Sequence, residues 1–290
     1  NDPQFFVASA DKLLEIYRKT VNKIYKQLPR QFGDVPDHPL EVMETPSHQA
    51  PSAPAAYYFS QGCYRPGLFY VNTYQLTKRP TWHTEVLTLH EAVPGHHLQA
   101  AVALSQEKRG ALPTFRANME DRRYGTAPSR RPFYSSYVEG WALYCEGLGK
   151  DLELYSDPYS RFGRLSMDMM RACRLVVDTG LHAFGWSRAR AVDFMARKCA
   201  QPLHEVEAEV TRYIAWPAQA TAYKVGELEI RRMRAEVEVA AARTSQRAEA
   251  IIRSFHDLCI AHGSVPLSLL SELVVDFIAA TASSAPTDAA

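Results

Sequence analysis

Apolar residues recur at intervals of three and four through residues 8–28 (ASADKLLEIYRKTVNKIYKQL), without Pro or Gly, and this spacing predicts an amphipathic helix. The period is lost from 33 to 65. Prolines and small polar residues gather there, as in TPSHQAPSAPAAYYF, and the stretch is expected to be loop or edge structure. GLFYVNTYQL, residues 67–76, is rich in aromatic and β-branched residues and predicts a strand. Helical spacing returns at Thr81 in HTEVLTLHEAV, HLQAAVALSQEK, SYVEGWALYCEGLGK and SRFGRLSMDMMRACRLVVDTGLH. SRARAVDFMARK opens on Ser187, a suitable N-cap. Further helices are expected at 203–214, 218–241, 248–263 and, after Pro266, 267–280. The end of the chain, TASSAPTDAA (281–290), is small and polar and is expected to be disordered. No repeat or linker divides the pattern. It predicts a single mainly α domain over residues 1–280, with a short β-strand region before HEAVPGHH.

Composition narrows the class of protein. The hydrophobic fraction of 46% and charged fraction of 22% are those of a globular chain. A net charge of +1 gives no footprint for nucleic acid or an acidic membrane surface. No apolar run approaches the roughly 20 residues of a membrane span. Five cysteines (Cys63, Cys145, Cys173, Cys199, Cys259) are an odd number without regular pairing. They are expected to be reduced, buried thiols, which favours a reducing compartment. The sequence starts at Asn1 rather than Met, so a leader or preceding domain is expected to be missing from it.

The chemistry concentrates at residues 90–99, HEAVPGHHLQ. In H-E-x-x-H the two histidines sit one turn apart and bind zinc, while the glutamate is the general base. Here position 94 is Pro94, and the histidines come late, as His96 and His97. On a regular helix the i+6 position lies roughly 120° off the face of His90, and i+7 lies about 10 Å further along. Pro94-Gly95 is the pair that breaks a regular helix. A bulge absorbing two residues brings His96 to the place of the missing ligand; His97 requires a larger distortion and remains the alternative. A catalytic zinc needs a third protein ligand and one open position. Glu139, within YVEGWALYCEGL, is a carboxylate in an apolar helix and is costly to bury unpaired, which makes it the candidate. Glu146, two turns on, is the second choice, or a group that orients a histidine.

These segments resemble a known family. HEAVPGHHLQ, YVEGWALYCEGL, VVDTGLHAFGWS, RYIAWPAQATAYKVG and FHDLCIAHGSVPLSLL, in this order, are similar to the motifs of domain of unknown function 885, as is the upstream YRPGLFYVN. The resemblance runs to about Leu270 and implies the C-terminal, catalytic half of a larger protein, packed against an N-terminal domain. It also implies a gluzincin-like, mainly helical zinc metallopeptidase. Dipeptidyl-peptidase III, among the helical gluzincins, likewise carries an insertion before a Gly-His pair. Carried onto this sequence, the resemblance implies one Zn²⁺ on His90, His96 and Glu139, with Glu91 as general base. Tyr223, or else His182 oriented by Asp178, would stabilise the oxyanion. Short peptides are the implied substrates, cut by a carboxypeptidase or dipeptidase. The strand at 67–73 is expected to pair with an extended peptide anchored by Asn72, while Arg65, Arg171, Arg212 or Lys224 bind its carboxylate beside Gln219. Two alternatives stay open: a non-catalytic, metal-stabilised binding module closed by His97 or Glu146, and a zinc hydrolase of non-peptide amides or esters.

Overall fold

The computed structural model describes residues 2–60, 65–117, 134–244 and 247–283. The chain is mainly helical, with one sheet of three strands. The first helix, α1 (Ala10–Gln27), is capped by Ser9, whose side chain accepts from the Lys12 N–H, and buries Leu13, Leu14, Tyr17, Val21 and Ile24. Three strands follow, β1 (Leu40–Glu44), β2 (Ala56–Phe59) and β3 (Gly67–Val71). β3 is central, parallel to β1 and antiparallel to β2.

This sheet corrects the sequence reading in three places. Two short strands lie in the stretch expected to be loop or edge, and the strand expected over 67–76 ends at Val71. Because β3 is paired on both sides, it offers no free edge to a peptide. Asn72 is fully buried and its amide donates to the carbonyls of Ala50, Ala53 and Pro54. Its Oδ1 accepts the Tyr74 N–H, so Asn72 ties the loop before β2 to the end of β3 and holds no substrate.

The remaining elements are α2 (Thr84–Leu87), α3 (His96–Lys108), the short α4 (Thr114–Ala117), α5 (Ser135–Leu148), α6 (Pro158–Ala183), α7 (Arg188–Lys198), α8 (Leu203–Ala215), α9 (Gln219–Ala241), α10 (Ala248–Ala261) and α11 (Leu267–Ser283). α6 starts cleanly because Pro158 sits at its first turn and Asp157 accepts from the Tyr159 and Ser160 N–H groups. Ser187 caps α7 as expected. α11 extends through residues 281–283, so the terminal segment begins as helix; residues 284–290 lie outside the described set, as does Cys63. The other four cysteines are free and buried.

α5 is the central helix. It is apolar on nearly every side, and Tyr137, Trp141, Tyr144, Cys145 and Leu148 are all buried. α9 packs directly against it where Gly140 meets Gly226. Among the described residues, no helix is long and apolar enough to cross a membrane.

Candidate metal centre

The helix that begins at α2 widens into a π-helical turn over Thr88–Ala92 and then stops. Val93 is extended, the Val93–Pro94 bond is cis, and α3 begins at His96. The insertion is thus looped out between two helical pieces, a fuller break than a bulge. The Gly95 N–H donates to the Leu89 carbonyl at 3.0 Å, across six residues, and this closes the loop. Only glycine fits there: a β-carbon on Gly95 would lie 1.9 Å from the His90 carbonyl oxygen. The Pro94 carbonyl in turn accepts from Trp141 Nε1 at 3.0 Å, which fastens the loop to α5.

This path brings His96, not His97, beside His90. The two rings meet edge to face with centroids 4.9 Å apart. Glu139 Oε2, presented by α5, lies 3.5 Å from His90 Nε2 and 3.4 Å from His96 Nε2. Among the described residues these three side chains form the group able to hold a metal ion, their donor atoms all within 4.8 Å of one another. His97 turns the other way. Its Nε2–H donates to the His38 carbonyl (3.1 Å) and its Nδ1 accepts from the Tyr58 hydroxyl (3.3 Å), while burial pushes its pKa down to about 4.

The spacing of the three donors fits a cation better than it fits hydrogen bonds. N–H···O bonds run at about 2.7–3.2 Å, and the buried Glu139 Oε2 has no hydrogen-bond partner. Donors held at about 2.05 Å on a tetrahedral ion stand about 3.3 Å apart, near the two distances observed. The tautomer agrees. Glu146 Oε1 lies 2.8 Å from His90 Nδ1 and, as a carboxylate, accepts its proton, leaving the Nε2 lone pair facing Glu139. Arg171 Nη2 is 3.2 Å from the same Glu146 oxygen. Glu146 therefore orients a histidine, and Arg171, buried and paired to it, is not available as a substrate cation.

The charges reinforce this. Burial works against a charged His90 ring, but Glu139, Glu146 and Glu91 outweigh it and raise its pKa to about 9, so the pocket draws positive charge. Burial likewise opposes the Glu139 anion, yet His90 and His96 hold its carboxyl well below the usual range. Glu91 moves the other way, raised by burial and by Glu139 against the pull of the two histidines. The Tyr58 N–H on β2 donates to Glu91 Oε2 at 2.9 Å and fixes the carboxylate in place. Glu91, His96 and Glu139 are each partly exposed while their neighbours in sequence are mostly buried, so the donor cluster opens to solvent on one side.

Tyr223, on α9, stacks near His90 with centroids 6.2 Å apart. Its hydroxyl accepts from Gln219 Nε2 at 3.2 Å. Gln219 Oε1 is already engaged by Arg212 at 2.7 Å, which orients the amide and leaves the Tyr223 proton free to be donated. Burial, with Glu139 nearby, pushes the phenol up to about 12. His182 is exposed, and its Nε2–H is spent on the Tyr213 carbonyl at 2.9 Å. Asp178 does not orient it; its Oδ1 accepts from the Ala218 N–H at the start of α9. Lys224 is paired with Asp168 and Glu227. Arg65 is exposed on the loop before β3. Sequence reasoning missed the Tyr58 N–H and Arg174, which stacks on Tyr223; it named Arg171 on the same helix instead.

Residues 1–274 match the family described as "Bacterial protein of unknown function (DUF885)". No curated protein matches the chain. Among solved structures, one described as "the putative lipoprotein from Colwellia psychrerythraea" is 31% identical, with a TM-score of 0.84 over 97% of this chain. A second, "a putative lipoprotein of unknown function from Shewanella oneidensis", shares the fold at 20% identity, with a TM-score of 0.72 over 94%. The chain spans 46% and 47% of the length of these two proteins.

Proposed function

The chain belongs to the bacterial family DUF885, and from that premise we propose that it is a zinc-dependent peptidase acting on short peptides. The observation that carries the proposal is the convergence of His90 Nε2, His96 Nε2 and Glu139 Oε2 around a shared point, with Glu91 held beside them. Two histidines and one carboxylate, partly open to solvent, are the donor set of a hydrolytic zinc site, and when bound the ion supplies Lewis-acid activation of water and of a carbonyl oxygen.

The chain's own residues divide the remaining work. Glu146 keeps the His90 proton on Nδ1, so that Nε2 remains a ligand. Glu91, with its carboxyl pKa raised by burial, takes a proton at its carboxylate and returns it to the leaving amine. Tyr223 donates its hydroxyl proton to the oxygen on which negative charge develops. A closed structural site is disfavoured because its two candidate fourth ligands, His97 and Glu146, are engaged elsewhere. The gluzincin kinship is part of the same proposal.

The test is Glu91→Gln. The variant is expected to bind stoichiometric zinc, read by metal analysis, and to lose at least ~10³-fold in turnover of a peptide library that the wild type cleaves. A zinc-loaded wild type that cleaves no peptide rejects the proposal.

A further inference from the structure

Next to Tyr223, α6 and α8 place two arginines around a single carboxylate. Arg174 is buried; its Nε donates to the Tyr213 hydroxyl at 3.0 Å and its Nη2 to Glu209 Oε2 at 2.8 Å. Its guanidinium carbon lies 4.5 Å from the centroid of the Tyr223 ring. Arg212 donates to both oxygens of the same Glu209, at 3.3 and 3.0 Å, and to Gln219 at 2.7 Å. Asp178, one turn from Arg174 on α6, accepts the Ala218 N–H at Oδ1 and keeps Oδ2 buried without a hydrogen-bond partner.

The two guanidiniums thus share the Glu209 carboxylate at a site largely out of water, and no other acid is bonded to either of them among the described residues. A buried guanidinium N–H left without an acceptor is costly, and an anion is the acceptor that suits it best. Arg174 Nη1 is such a group, buried with no hydrogen-bond partner among the described residues. Arg212 and Gln219 are half-buried, so solvent reaches the cluster through them. Gln219 also bridges the arginines to the Tyr223 hydroxyl.

We infer that Arg174, Arg212 and Gln219 form a carboxylate-binding subsite that receives the C-terminal carboxylate of a peptide whose scissile bond lies at the His90–His96–Glu139 centre. One residue of extended chain spans about 3.5 Å. Because the Arg174 guanidinium carbon is 4.5 Å from the centre of the ring that carries the Tyr223 hydroxyl, a carbonyl at that hydroxyl and a carboxylate at the arginines are about one or two residues apart. The protein removes one or two residues from the C-terminus and does not cut internally. This deepens the peptidase proposal and rests on it.

Paired peptides that differ only in a C-terminal carboxylate or carboxamide test the inference. The zinc-loaded wild type is expected to favour the free acid by ~10–100-fold in kcat/KM, through KM, as befits charge-assisted hydrogen bonds. Arg212→Gln is expected to collapse this ratio towards one, and Arg212→Lys to restore part of it. Arg174→Lys, which keeps the buried charge, serves where Arg174→Gln fails to fold by circular dichroism. A second measurement separates the two proposals: calorimetric binding of the acid and the amide of one dipeptide to the zinc-loaded Glu91→Gln protein. Cleavage of acid and amide alike by the wild type, or a preference that survives Arg212→Gln in a folded protein, overturns the subsite and leaves the peptidase standing. Selective binding of the acid without cleavage of any peptide overturns the peptidase and leaves the anion site.

Discussion

Gly140 on α5 and Gly226 on α9 stand backbone to backbone: a β-carbon on Gly226 would lie 1.8 Å from the Ser136 carbonyl oxygen and 2.7 Å from Gly140 Cα. Glu139 and Tyr223 are placed by this one crossing, since each lies within a turn of the contact. A methyl group at Gly226 must push the helices apart. Gly226→Ala is therefore expected to cost about 1–3 kcal/mol in stability, seen in urea denaturation. Its activity should fall further than its folded fraction, because a displaced Tyr223 no longer meets the centre.

Glu146 touches the proposed metal site only through His90. Replacing it by Gln keeps the shape but lets the amide present a donor to Nδ1, so the ring is no longer held with its proton there. Zinc affinity is expected to drop ~10–100-fold, measured by competition with a chromogenic chelator, with little change in the circular dichroism of the zinc-saturated protein. An unchanged dissociation constant removes Glu146 from the site.

Two histidines, the fully buried His256 and the half-buried His83, give the protein an acid-sensitive stability. His256 donates from Nδ1 to the Gln31 carbonyl at 2.9 Å, which leaves Nε2 to accept from the Tyr144 hydroxyl at 2.7 Å. Burial lowers its pKa to about 3 and that of His83, beside Arg171 and Arg79, to about 4. In the unfolded chain both titrate near 6.5, so between about pH 6.5 and 4 the unfolded state binds protons that the folded state refuses. Stability is intact above about pH 6.5 and falls as the pH drops, by up to about 2.7 kcal/mol per pH unit for the two together. Denaturation midpoints across this range measure the slope, and His256→Gln should reduce it by one proton.

The helices were legible because their apolar spacing is long and regular, and Ser187 marked its helix start correctly. The grouping of His90, His96 and Glu139 into a candidate metal site was legible in part, since these residues and Glu91 stand out by residue type and order. β1 and β2 were not, because short strands among prolines carry no usable alternation. Asn72 looked like a substrate anchor, but its partners are loop carbonyls 18 to 22 residues away. Arg171 and Arg174, one turn apart on α6, are indistinguishable in sequence. Only the packing shows that one faces Glu146 and the other Tyr223.

The adjacent pair His96 and His97 gives a comparison that separates metal binding from folding. His96 Nε2 faces Glu139 and His90, and its side chain is 15% exposed. His97 is 1% exposed and joins α3 to the His38 carbonyl and to Tyr58. His96→Ala removes one of the three proposed ligands and should abolish stoichiometric zinc at micromolar metal, with the apo-protein's denaturation midpoint nearly unchanged. His97→Ala should retain zinc and instead lose about 1–3 kcal/mol of stability, from a buried carbonyl left without its donor. Zinc content by metal analysis and urea denaturation of the apo-proteins give both readings. If His97→Ala is the variant that loses zinc while His96→Ala keeps it, the break at Pro94-Gly95 turns α3 differently from the path described above.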